Sequence, residues 1–171
     1  MSCVTVRITS TLSSTPPSCA PINMRPAQKR GPDDEAIGRS RGGPSTKIHA
    51  AVDALGNPLR LILTPGQVHD SKLSEALIEG FDFDKLLADK GYDSDHFRIV
   101  LATIGAEAVM PSIGSRSQPI PHDKHTYKER NLVERFFCWI KQFRRIATRY
   151  DKTATSFAGM LHLAAAMVWL R

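Results

Sequence analysis

Four residues in the last third of the chain, Tyr127, Arg130, Glu134 and Lys141, stand three, seven and fourteen positions along from the first of them. At about 100° per residue these positions fall within roughly 60° of one another on a helix. They make one polar stripe in which a single carboxylate is framed by Arg and Lys. Alone, such a stripe reads as well as an ion-pair ladder on a solvated face. A second acid changes its meaning. Asp89 ends the apolar run Leu86-Leu87-Ala88 and precedes Lys90-Gly91. In open sheets with parallel strands, ligands bind beyond the carboxyl ends of the strands. An Asp there can turn its oxygens to a divalent cation, with Gly91 allowing a tight exit. The plainer alternative is a turn-forming Asp before a glycine. Either acid is weak by itself; together they would have to meet across space.

The elements that must position them are legible from periodicity. Residues 46–52 read as a strand, 53–58 as turn chemistry, and 59–64 as the antiparallel partner. After Pro65-Gly66 the period changes: Asp70 can cap a helix over 71–79 with Leu73, Ala76 and Leu77 on one face. A short buried strand over 85–88, a helix over 94–104 and a strand over 107–110 follow, a succession that implies parallel pairing through crossover helices. Residues 111–126 form a polar loop. The spacing predicts one helix over 127–145, with Leu132, Val133, Phe136, Trp139, Ile140 and Phe143 on its broad apolar face, and a second, Ala-rich helix over 154–171. The expected architecture is α/β, a mixed sheet packed by helices within residues 46–171.

Residues 1–45 look different. The first 26 contain 13 Ser, Thr or Pro, with no acid and no aromatic. Such a segment buries too little to offset its ordering entropy and is expected to be mostly disordered, running into a Gly-rich loop up to residue 45. The chain of 171 residues carries 23 Lys plus Arg against 17 Asp plus Glu, a net +6. Ten of the bases and only four of the acids lie between Arg116 and Lys152, so the whole excess sits in that block. A basic block on an otherwise neutral domain is an electrostatic footprint for a polyanion. No apolar run approaches the roughly 20 residues needed to span a bilayer. Three scattered cysteines without a CxxC pair argue against a disulfide framework or a zinc site and fit a reducing, cytoplasmic setting.

Three blocks, Thr46-Lys47-Ile48-His49, then Thr64-Pro65-Gly66-Gln67-Val68-His69-Asp70, then Ala88-Asp89-Lys90-Gly91-Tyr92-Asp93-Ser94, resemble insertion-sequence DDE transposases of the bacterial IS four and IS five superfamily. The fourth block is that family's C-terminal signature: Tyr, two residues, Arg, three residues, Glu, six residues, Lys. It is complete here as Tyr127, Arg130, Glu134 and Lys141. The resemblance covers about residues 30–171. It implies a ribonuclease-H-like fold, two Asp and one Glu holding two Mg²⁺ ions, and DNA strand cleavage and transfer at the ends of an insertion sequence. Carried over residue by residue, Asp89 is the second acid and Glu134 the third, both catalytic and metal-binding. Lys141 would contact transposon-end DNA, while Arg130 and Tyr127 would position the Glu helix and nearby phosphates. Arg144, Arg145 and Arg149 trail the helix as further phosphate contacts. The implied partners are DNA and other copies of a transposase, in a homo-oligomer or a mixed oligomer with an intact enzyme. The implied place is the bacterial cytoplasm, at the nucleoid when bound to DNA, with no membrane.

The family's first Asp is missing. No acid precedes Asp33, and Asp53 lies in the predicted hairpin turn. The segment Pro21-Ile22-Asn23-Met24-Arg25-Pro26-Ala27-Gln28-Lys29 can be encoded so that a shifted frame reads His-Gln-His-Ala-Ala-Gly-Ala, the family's own stretch after its first Asp. Residues 1 to about 28 therefore read as out-of-frame translation of a degraded gene. The expectation is a fold that lacks its first, central strand, an incomplete metal site, and a fragment impaired in strand transfer. The competing class is a non-catalytic DNA-binding or transposase-binding remnant, and a third reading is a fragment that never folds stably. Among other residues, His49 and His69 are expected at polar strand-end or loop positions, Cys138 in the core, and His162 packed or capping.

Overall fold

The computed structural model describes residues 3–13, 36–40 and 43–171. Six strands form one sheet: β1 (Cys3–Ser13), β2 (Gly38–Ser40), β3 (Gly43–Val52), β4 (Pro58–Pro65), β5 (Lys85–Ala88) and β6 (Glu107–Val109). Their order is β2-β3-β1-β5-β6, with β4 also paired to β3. The β3–β4 hairpin turns where the sequence placed it. Asp53 Oδ1 accepts from the amides of Leu55 and Asn57, both at 2.8 Å, and Gly56 takes the positive φ of +88° that a side chain would resist. Asp53 is thus a turn residue. Strands β5 and β6 pair in parallel through the crossover helix between them, as the strand–helix–strand succession required.

The main correction concerns the N-terminus. Residues 3–13 do not leave the sheet without a central member: they are β1, antiparallel to β3 from Thr5↔Val52 to Ser13↔Ser45 and parallel to β5 from Cys3↔Lys85 to Val6↔Ala88. The physical reason lies in what a Ser/Thr/Pro count conflates. In Cys-Val-Thr-Val-Arg-Ile-Thr-Ser-Thr-Leu-Ser the threonines are β-branched strand formers that alternate with Val and Ile. The prolines that break pairing begin only at Pro16. β2 and the start of β3 likewise fall in the stretch expected to be a Gly-rich loop. The expected disorder of residues 14–35 lies outside the described residues.

The helices are α1 (Ser74–Ile78), α2 (Asp95–Thr103), α3 (Lys124–Tyr127), α4 (Asn131–Ile140), α5 (Arg144–Ala147) and α6 (Ala154–Trp169). They cover both sheet faces. Ala51 of β3 points into one core with Leu77, Leu86, Tyr92, Phe97 and Leu101, whereas Ile48, Ala50 and Val52 point into the other with Val133, Phe136, Ile140, Phe157 and Leu161. That alternation is the period of two of a strand buried on both sides. The helix expected over 127–145 is interrupted: α3 passes through a 3-10 turn (Lys128–Arg130) into α4, and Phe143 takes an extended backbone before α5. Asp70 does not cap the helix expected after it. His69 holds that place, accepting from the Ser71 amide, and a 3-10 turn (Asp70–Leu73) precedes α1. Ser94, by contrast, caps α2 through the Phe97 amide at 3.2 Å.

Candidate functional site

Asp89 is placed by the end of β5. Its backbone stays extended while its Oδ1 accepts from the Lys90 amide at 2.8 Å, capping a 3-10 turn over Lys90–Tyr92. Gly91 within this turn is required by a neighbour rather than by its own conformation. A Cβ there would lie 3.2 Å from Asp70 Oδ2, so the absent side chain admits the Asp70 carboxylate against the turn. Asp70 is in turn paired with Lys47 Nζ at 2.9 Å, and that ammonium also donates to the Val68 carbonyl at 2.8 Å. Tyr92 is fully buried, and burial together with the nearby Asp70 and Asp89 charges pushes its phenol well above the ordinary tyrosine range. His49 is also buried, with Nε2 2.8 Å from Thr64 Oγ1. Burial lowers its pKa to about 4; Asp70 works against that shift and Lys47 reinforces it. The imidazole is therefore neutral at pH 7 and acts as structure beside the turn. The Lys47–Asp70 pair was not legible as a support of Asp89. Its only signal was that Lys47 and Asp70 both lie in blocks that carry the family resemblance.

Glu134 is placed by α4, whose other face buries Val133, Phe136, Phe137 and Ile140. It lies in the first turn of that helix, where the helix dipole favours a carboxylate. Arg130 precedes the helix and joins the two acids. Its Nη2 is 2.9 Å from Glu134 Oε1, an i,i+4 pair, and its Nη1 is 3.9 Å from Asp89 Oδ2. Tyr127 completes the group. Residues i and i+3 eclipse one another in a 3-10 turn, and the Arg130 guanidinium accordingly lies 5.3 Å from the Tyr127 ring centroid. The side chains remain open to ligand, with Asp89 41%, Glu134 35% and Arg130 20% exposed.

The structure therefore brings Asp89, Glu134, Arg130 and Tyr127 to one place. The remaining basic residues separate into two kinds. Lys141 and Arg144 are exposed beyond the end of α4, Lys141 about 10 Å along the axis from Glu134 at 1.5 Å per residue. Arg145 is exposed too, but its guanidinium forks onto Asp151 at 2.9 and 3.1 Å, holding that carboxyl below its usual range. Arg149 is a correction. It is 4% exposed, stacks 5.1 Å from the Phe157 ring and donates to the Ala36 carbonyl at 3.3 Å, so it pins the interior instead of facing a phosphate. Cys138 and His162 are exposed, not packed as expected, because α4 and α6 turn Phe137 and Leu161 inward in their place.

A two-cation site needs a third carboxylate, and among the described residues none joins Asp89 and Glu134 to fit one. The last parallel pair of β1 and β5 is Val6↔Ala88, so the chain positions that follow are Arg7 on one strand and Asp89 on the other. β1 contains no Asp or Glu at all. Among the described residues, no three His, Cys, Asp or Glu side chains gather as metal ligands.

The transposase DDE domain family matches residues 86–171, the half of the chain that runs from β5 to the end and holds both acids. A Brucella ovis protein named as a transposase for insertion sequence element IS6501 is 43% identical over 129 residues, 74% of this chain and 99% of that protein. A Burkholderia cepacia protein named as a transposase for insertion sequence element IS402 is 31% identical over 140 residues, 75% of this chain and 64% of that protein. With that domain matched over half of the chain and the Brucella ovis relative matched over nearly its whole length, the chain belongs to the insertion-sequence transposases of the DDE type.

Proposed function

We propose that this chain engages the ends of an insertion sequence through a ribonuclease-H-like domain and that its own capacity for strand cleavage and transfer is impaired. The observation that carries the reading is the convergence of Asp89 and Glu134 on one guanidinium. The sheet order, with β1 antiparallel to β3 and parallel to β5, supports the ribonuclease-H-like assignment. Asp89 and Glu134 are the acids of the site, Tyr127 and Arg130 position them, and Lys141 and Arg144 face DNA. Impairment follows from the acid-free β1, because DDE transposases generally use divalent metals and this set of carboxylates cannot fix two of them. Mg²⁺, when bound, would supply charge neutralisation at the scissile phosphate. This chain's residues supply only the grip on DNA and part of the ligand set. DNA-binding without chemistry would make it a partner that assembles with intact transposase.

The test uses labelled transposon-end DNA. Binding that weakens steeply with salt, with no Mg²⁺-dependent nick, supports the reading. A nick abolished by Glu134→Gln overturns the impairment, and absence of binding at low salt overturns the DNA role. The out-of-frame origin of the N-terminal segment has a separate check. A nucleotide sequence in which no shifted frame restores Asp-Ser-Thr would refute it.

A further inference from the structure

Two carboxylates and one guanidinium make an unusual grouping at a site where a family would place cations. A guanidinium is a permanent, planar cation whose fork matches carboxylate geometry. Here one tine is satisfied and the other is not. Nη2 pairs with Glu134 at hydrogen-bond distance, whereas Nη1 is buried, makes no hydrogen bond, and lies only within ionic range of Asp89. The Tyr127 ring lies 5.3 Å from the same guanidinium. That face can keep the cation when its hold on the acids is broken.

We infer that Arg130 occupies the cation position between Asp89 and Glu134, so that a divalent ion can load onto this acid pair only by displacing the guanidinium. The inference rests on the reading of Asp89 and Glu134 as the acids of the site, and adds to it how the site is occupied when no metal is bound. The charge argument is direct. Asp89 and Glu134 together present two negative charges, and Arg130 cancels one of them at close range. An incoming dication meets a pair already held by a guanidinium, a positive charge a few ångströms away. Removing the guanidinium should therefore tighten ion binding, whereas a residue that merely braced the helix would loosen it. The weaker, unbonded contact at Asp89 is where displacement begins.

The experiment titrates the full chain with Mn²⁺ alone and follows free ion by electron paramagnetic resonance, without DNA. Arg130→Gln is expected to lower the Mn²⁺ Kd about tenfold or more, as loss of a neighbouring charge would. Arg130→Lys, which keeps the charge, should stay within about threefold of the parent protein by the same argument. Adding Glu134→Gln to Arg130→Gln should abolish the gain. An unchanged or weaker affinity in Arg130→Gln, an equal gain in Arg130→Lys, or a gain that survives Glu134→Gln each overturns the inference. Should Arg130→Gln not fold, the unmodified protein still decides it. The Arg130 Nε–Hε nuclear magnetic resonance signal, assigned by its loss in Arg130→Lys, should shift as Mg²⁺ saturates the pair, and an unmoved signal at saturation overturns the proposal. Failure of DNA binding would sink the functional reading and leave these outcomes untouched.

Discussion

Individual side chains in this protein do two kinds of work, and their burial separates them. Asp93 shows the structural kind. Its side chain is fully buried and bonded by Arg98 Nε at 2.6 Å, Arg116 Nε at 3.1 Å and the Ile113 amide at 2.9 Å. Burial alone would raise this carboxyl, but the bonds from Arg98, Ile113 and Arg116 outweigh it and hold it below the usual range. A carboxyl depressed in this way stabilises the fold above its unfolded pKa, and that stability is lost as pH falls through the folded value. Asp93→Asn should therefore cost about 3 kcal/mol at pH 7, the scale of a broken buried pair, and flatten the acid limb of a denaturation curve. His49 acts in a window just above. Its folded pKa of about 4 lies below the ordinary 6.5, so the unfolded chain takes up the proton first and stability falls as pH drops from 6.5 toward 4. His49→Gln, which can still bond Thr64, should remove that slope. Urea melts at stepped pH check both, and an unaltered pH dependence in either variant would contradict the assignment.

Among the elements, β1 decides most. It is flanked by β3 and β5, so its backbone amides serve pairing on both sides. Val6→Pro removes one of them within the register shared by all three strands and should destabilise the protein by about 3 kcal/mol or more. A chemical melt gives the answer, since a strand of no consequence would leave the midpoint unmoved. The break between α3 and α4 matters for a different reason. A continuous helix was expected from 127 to 145, and hydropathy periodicity cannot see a 3-10 turn, because three residues at 100° and three at 120° differ by less than one side chain's width. Of the apolar positions read on this face, Val133, Phe136 and Ile140 are buried, whereas Leu132, Trp139 and Phe143 are only half-buried. The N-terminal strand was not legible, because its pairing partners lie some forty and eighty residues away and its composition resembles that of a polar linker.

For the molecule as a whole, the basic block between Arg116 and Lys152 offers less to the proposed DNA partner than its count implies. Arg116 is consumed on Asp93, Arg145 on Asp151, and Arg149 in the interior. Arg144→Ala and Lys141→Ala should each weaken DNA binding across sequences and reduce the slope of log affinity against log salt by about 1. Arg149→Ala should instead lower thermal stability and leave that slope unchanged. Filter binding over a salt series beside a melting scan distinguishes the two, and a slope change in Arg149→Ala would return that residue to the DNA surface. Among the described residues no helix is long and apolar enough to cross a membrane.

Spacing and residue type were sufficient to single out four residues that meet in the fold. Asp89 after an apolar strand, and Tyr127, Arg130 and Glu134 within one helical span, are local patterns governed by local geometry, and the fold brings these four together. Three matters were settled only by tertiary contact. Residues 3–13 became a central strand because two neighbours offered their edges, Arg149 turned inward because Phe157 and Ala36 were there to receive it, and Asp70 left its helix cap for Lys47. Each depends on groups distant in the chain, whose nearness no window of sequence can hold.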